Sequence, residues 1–216
     1  MFVNEAVLDK LWSIVERPPF ESEFVLKVDR NKKFNLGTIF SSNYTKFFLE
    51  LGSGWGEVSI ELAKKNRDTA FLLMEKNRGR LLVTEREIKK YSLSNIRLIC
   101  CNFNWFLKEL FFENSFDEIL LNFPDPWEKK KHWQNRTLNL DFLKVVYSIL
   151  KKNGRFKFAT DHGGYARKSI QVFRKADFLI FTKEFSFERE KEFPYSKFEL
   201  EKISENKCIY YMERYK

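Results

Sequence analysis

From residue 46 onward, short apolar runs alternate with longer segments whose apolar positions recur at helical spacing. Phe47-Phe48-Leu49-Glu50-Leu51, Ala70 to Glu75, Ile96 to Cys101 and Ile119 to Phe123 are nearly continuous, as strands buried on both sheet faces are. Arg155 to Thr160 is a fifth such run. The intervening stretches Glu57 to Asn66, Asn77 to Tyr91, Trp105 to Phe111, Leu140 to Leu150 and His162 to Ala176 carry helical periodicity. Strand and helix in steady alternation, with no linker between units, predict an α/β fold. It should be a doubly wound, Rossmann-like, mostly parallel sheet of seven strands with helices on both faces. Strands six and seven are expected in the tail, the last at Cys208 to Met212.

Local signals punctuate this plan. Lys151-Lys152-Asn153-Gly154 reads as a helix stop, with cations at the negative end and a glycine able to turn left-handed. Residues 1–45 read as an N-terminal arm packed on the core, with a helix over Val7 to Val15 that ends before Pro18-Pro19 and a short extended piece at Phe24 to Val28. The main domain is read as 46–216, and Tyr195 to Glu199 as a polar-aromatic loop.

Composition narrows the partners. The 216 residues fit one ordinary domain, and 39 Lys and Arg against 30 Asp and Glu leave a net charge of +9, which favours nucleic acid as a partner. Acidic membrane surfaces and simple solubility are the rival explanations. The 24 phenylalanines are read as coding bias rather than as a functional signal. The N-terminus lacks the apolar stretch of a secretory signal, and no segment reaches the roughly 20 apolar residues of a membrane helix. Cys100, Cys101 and Cys208, with only His132 and His162, have no ligand spacing, so no metal site is expected and the chain reads as cytoplasmic and reduced.

The chemistry-bearing residues sit where the predicted strands end. Gly52-x-Gly54-x-Gly56 follows the first strand and lets backbone approach a ligand closely, but its third glycine comes too early for a dinucleotide fingerprint. Glu75, ending the second strand, can accept hydrogen bonds from ribose hydroxyls. Glu50, beside the glycine loop, can complement a cationic amino-acid group. That pairing points to S-adenosyl-L-methionine rather than a nicotinamide; the bland alternative makes both acids solvated strand ends. Asn102, ending the third strand, suits either an adenine contact or a helix N-cap.

The fourth strand runs into Phe123-Pro124-Asp125-Pro126-Trp127, then Glu128-Lys129-Lys130-Lys131-His132-Trp133-Gln134-Asn135-Arg136. Proline disfavours helical backbone in the residue before it, so Phe123 and Asp125 should be extended, presenting one rigid carboxylate beside a basic loop. Asp161 ends the fifth strand on the same edge, as a base reader or an N-cap.

With these residues placed, the chain resembles the bacterial tRNA (guanine-N7)-methyltransferase family. The likeness rests on Leu49 to Glu57, Met74-Glu75, Phe123 to His132, Ala159-Thr160-Asp161 and Ser196-Lys197-Phe198-Glu199, in that order. It implies a class I methyltransferase that moves a methyl group from S-adenosyl-L-methionine to N7 of the variable-loop guanosine of tRNA (position 46). It implies Glu50, Gly52, Gly54, Gly56, Glu75, Asn102 and Asp125 at the cofactor, with Asp125 also catalytic. Lys129, Asp161, Ser196, Lys197, Phe198 and Glu199 would contact substrate, and Lys131, His132, Trp133, Gln134, Asn135 and Arg136 the RNA. Asn102 stands where the family has Asp, and Ser196 where it has Thr. The rival readings are a methyltransferase for another RNA base or an exocyclic amine, and a catalytically silent RNA-binding subunit that keeps the fold. Neither oligomeric state nor a protein partner is legible.

Overall fold

The apolar runs form five parallel strands: β1 (Lys46–Leu51), β2 (Thr69–Glu75), β3 (Ile96–Cys100), β4 (Phe116–Asn122) and β5 (Leu150–Thr160). A sixth, β6 (Tyr210–Tyr215), pairs antiparallel with β5, and the sheet order is β3-β2-β1-β4-β5-β6. This computed structural model describes residues 5–40 and 44–216; residues 1–4 and 41–43 of the arm lie outside it.

Side chains alternate across the pleat, so each central strand feeds two cores. Leu49, Leu51, Leu72 and Met74 enter one, with α5 (Phe103–Leu110), α6 (Leu140–Ile149) and α7 (Gly163–Lys175) packed over them. Phe48, Phe71 and Leu73 enter the other, beneath α3 (Glu57–Lys65) and α4 (Arg78–Lys90). Each such Leu or Phe contributes about 1.5–3 kcal/mol on burial.

The arm lies against the first of these cores. Trp12, in α1 (Glu5–Val15), stacks on Phe106 with ring centroids 3.7 Å apart, while Arg30 ties the arm to itself through Asp9 at 2.7 Å and Glu16 at 3.1 Å. The extended piece at Phe24 adds a single parallel bridge, Val25 to Leu98, along the outer edge of β3. A short helix, α2 (Leu36–Phe40), completes the arm.

The last expected strand forms as β6, but the other expected tail strand does not form among the described residues. The chain before β6 makes two isolated antiparallel bridges to it, Ile180 to Tyr215 and Ser186 to Tyr211. Between them the chain advances six residues on one side and four on the other, so the ladder bulges and cannot propagate. Arg214 takes up the freed carbonyls, donating to Glu184 O at 3.2 Å and Lys183 O at 3.5 Å. Its guanidinium is buried between Phe173 and Phe181, and that burial pushes its pKa down to about 10.

Two local readings also change. Asn153, not Gly154, takes the left-handed turn (φ +64), and 150–154 belongs to β5. Gly154 is needed for proximity instead: a Cβ there would lie 2.8 Å from Lys151 O. Residues Lys197–Ser204, expected to begin within a loop, form the helix α8. Its signal was Ser-x-x-Glu, since Ser196 and Glu199 form a reciprocal capping box.

Arg214→Met should cost about 2–4 kcal/mol in urea unfolding, because the two bulge carbonyls lose their buried donor. Arg174→Met, which removes an exposed pair with Glu184, should leave the urea midpoint nearly unchanged.

Candidate active site

The strand order reverses between β1 and β4, which opens a crevice at their carboxyl ends. Two loops meet there, one after each strand.

The first is the glycine loop. Gly52, Gly54 and Gly56 all have φ between +58 and +74, a left-handed backbone that glycine alone adopts without strain. Their reasons differ. A Cβ on Gly56 would sit 2.5 Å from Thr84 in α4, so this residue serves close packing; a Cβ on Gly54 would meet nothing within 4 Å, so that stretch of backbone faces open space.

Glu75 holds the loop in place. One carboxylate oxygen accepts the Gly54 N–H at 3.0 Å and the other the Asn77 N–H at 2.7 Å, and each retains a lone pair. Glu50 is equally buried, at 3 % exposure, and accepts a hydrogen bond from Ser59 Oγ in α3. Burial pushes its pKa up to about 7, with Ser59 and Arg189 opposing the shift. Neither acid is a solvated strand end. Asn102 caps α5 by accepting the Asn104 N–H at 3.2 Å, so the N-cap role is the one seen.

Among the described residues, Ser53 Oγ and Asn122 Nδ2 are buried at the crevice with no hydrogen-bond partner, and Glu57 Oε1 has only the Lys197 ammonium at 3.5 Å. Together with the open backbone at Gly54, they form a polar cradle whose donors and acceptors suit a ligand with both amino-acid and nucleoside parts.

The second loop departs from the rule for residues preceding proline. Phe123 adopts φ +47 rather than an extended backbone. Its N–H bonds to Ala159 O at 2.9 Å and its ring packs 5.1 Å from Phe198, so tertiary contacts hold a strained conformation at the mouth of the crevice. Asp125 is exposed and accepts the Trp127 N–H at 2.9 Å through Oδ1. Its other oxygen has no protein hydrogen bond among the described residues.

The basic run after Trp127 coils into a 3-10 turn, Lys130–Asn135. Lys129, Lys130, Lys131, Gln134 and Asn135 are exposed, as is Trp133, while His132 packs against Trp127 at 5.7 Å. Arg136, expected at the RNA with its neighbours, is buried. Its Nε donates to Pro126 O at 2.6 Å and its guanidinium lies between Trp133 and Tyr165, so it braces the loop.

The remaining expected residues divide in the same way. Asp161 caps nothing, because His162 Nδ1 takes the α7 cap from Tyr165 N–H at 2.9 Å; its carboxylate is left unpaired among the described residues. Ser196 is the N-cap of α8, Lys197 N–H reaches Glu57 at 2.9 Å, and Phe198 closes on Phe123. The Glu199 carboxylate, expected at the substrate, is fully buried and bound instead by Arg189 at 2.5 Å and Tyr211 OH at 2.5 Å. Arg189 carried no signal in the sequence, since only the fold brings it beneath the crevice.

A family model described as "Putative methyltransferase" matches residues 44–212. The chain is 49% identical to a tRNA (guanine-N(7)-)-methyltransferase of Leptospira interrogans, over 95% of this chain and 94% of that one. A protein of the same name from Thermotoga maritima is 32% identical over 82% of this chain and 57% of its own. Among solved structures, the 16S rRNA methyltransferase KamB superposes with a TM-score of 0.63 at 12% identity, covering 85% of this chain and 94% of that chain, a likeness of fold.

Because the Glu50 pKa rises from its ordinary 4.5 to about 7 in the fold, the native state holds a proton that the unfolded chain releases. Stability of the ligand-free protein should therefore fall as pH rises from 4.5 through 7, by about 3 kcal/mol. Urea unfolding at pH 5 and pH 8 should show that slope in the wild type and a flatter one in Glu50→Gln.

Proposed function

The chain belongs to the tRNA (guanine-N7)-methyltransferase family, and from that premise we propose that it methylates N7 of a variable-loop guanosine in tRNA, using S-adenosyl-L-methionine in the cytoplasm. The observation that carries this reading is an unpaired, exposed Asp125 oxygen beside a lysine-rich turn, on the edge where the glycine loop opens.

The cradle fits the methyl donor residue by residue. Glu75 retains lone pairs for ribose hydroxyls, Asn102 stands near the adenine end, and Glu50 faces the loop as the partner of an ammonium group. When bound, S-adenosyl-L-methionine supplies an electrophilic methyl group on a cationic sulfur. The rest of the chemistry belongs to the protein and the base.

Guanine N7 already holds an in-plane lone pair, so no residue has to create the nucleophile. The protein must aim it, and orientation can supply much of the rate enhancement. Asp125 accepts hydrogen bonds from N1–H and the N2 amino group of the base. It also stabilises the positive charge that reaches the ring as the methyl arrives. Proline on either side and the Trp127 N–H fix its carboxylate before the base enters. Asp161, unpaired on the same edge, reads the base or its ribose, and Lys129 meets the adjoining phosphate. Lys130, Lys131 and the exposed Trp133 carry the RNA approach, with cations for phosphates and an aromatic face for an unstacked base.

Incubation with labelled S-adenosyl-L-methionine and unmodified tRNA, followed by strand cleavage at 7-methylguanosine, should place the label at one variable-loop guanosine. Absence of label in tRNA would overturn the proposal. Asp125→Asn should lower single-turnover methylation about 100-fold while leaving donor affinity within a few-fold. Reversing Lys129, Lys130 and Lys131 to Glu should raise the KM for tRNA and lessen its salt dependence, with donor binding unchanged.

Donor affinity should also depend on pH. Glu50, faced by Ser59, Glu57 and Arg189, must ionise to pair with an ammonium group. Calorimetric titration should therefore show tighter binding as pH rises from 6 to 8, and Glu50→Gln should remove that trend.

A further inference from the structure

The residues 187–195 cross the sheet face beside α3, over the ends of β4, β5 and β6, and bring one arginine into the interior. The Arg189 side chain is 4% exposed. Nη1 is paired to both oxygens of Glu199 at 2.5 and 2.6 Å, while Nε and Nη2 are buried with no hydrogen-bond partner among the described residues. Phe193, Tyr195 and Tyr211 surround the guanidinium at 4.6 to 5.5 Å and fix its plane.

An arginine placed so deeply and left half unpaired is costly unless something fills its other edge. Nε and Nη2 form the edge that grips a carboxylate through two parallel hydrogen bonds. Arg189 lines a small cleft of about 30 Å³ with Asn122, whose Nδ2 is likewise buried and unpaired among the described residues. Glu50 pairs in register with Leu120, which lines the same cleft, so the acid and the arginine share one face of the sheet. An acid and a half-paired arginine on the same face are complementary to a zwitterion.

We propose that Arg189 binds the carboxylate of the methyl donor's amino-acid end, while Glu50 takes its ammonium group. The assignment rests on the donor named above and identifies one more residue of its site. It also explains why Glu199 is fully buried. Glu199 neutralises the arginine and, bound in turn by Tyr211, holds it in place beside the cleft. With Glu50 ionised, the three charged side chains sum to one negative charge. The donor, with a sulfonium, an ammonium and a carboxylate, carries one positive charge.

The test uses full-length protein, calorimetry, and two ligands that differ only at this group: S-adenosyl-L-methionine and its decarboxylated form. The wild type should bind the carboxylate-bearing ligand at least about tenfold more tightly, a comparison that needs no variant to fold. Arg189→Gln should abolish that preference by weakening only the carboxylate-bearing ligand. Arg189→Lys, which keeps the charge and the Glu199 pair but loses the two-pronged edge, should fall between. Equal affinity of the wild type for both ligands, or an equal loss for both in Arg189→Gln, would overturn the assignment and leave the methyltransferase reading intact. Failure of the wild type to bind either ligand would overturn both.

Discussion

Every functional side chain here depends on β1 being paired with β2 on one side and with β4 on the other. Parallel pairing puts all three carboxyl ends on one edge, and the change of direction at β1 leaves a gap that no crossover helix covers. The glycine loop and the Pro-Asp-Pro loop follow the two strands that flank that gap. Glu75, on the third, reaches across to hold the first loop. A shift of one residue in any of these ladders would turn Glu50 or Asn122 to the opposite face. The buried Leu and Phe pairs that prevent such a shift therefore determine the chemistry indirectly.

Around this edge the protein divides labour between exposed and buried charge. Lys129, Lys130 and Lys131 stay in water, where they attract RNA without a desolvation cost. Glu50, Glu75, Arg189 and Glu199 are withdrawn from it, where an unmatched charge is costly and each partner is therefore specified. Recognition of a large polyanion and recognition of a small zwitterionic cofactor thus use the same residue types under opposite solvation. Arg136 shows how narrow the boundary is: adjacent to the exposed turn in sequence, it turns inward and braces the loop.

The two loops also store conformations that the local sequence disfavours. Phe123 is held left-handed before a proline by one backbone hydrogen bond and by Phe198 from α8. The same helix closes on α3 through Lys197 and Glu57, so it joins the nucleotide-facing loop to the glycine-loop side of the crevice. A helix of eight residues therefore couples the two halves of the site.

Most of this architecture was legible in the chain. Buried parallel strands are short and apolar on both faces, so β1 to β5 could be located from runs alone, and strand-end positions put Glu50, Glu75, Asp125 and Asp161 on one edge. The Ser-x-x-Glu signal of α8 was present as well, but it reads as a loop when its apolar positions are few. Tertiary structure decided the rest. One expected tail strand is missing because the chain before β6 bulges by two residues, with Arg214 donating to carbonyls there. Whether a charge faces water or protein depends on contacts far away in sequence, which is why the burial of Arg136, Arg189 and Glu199 is not legible in the chain. Sequence periodicity reports which residues share a face; only packing reveals what that face meets.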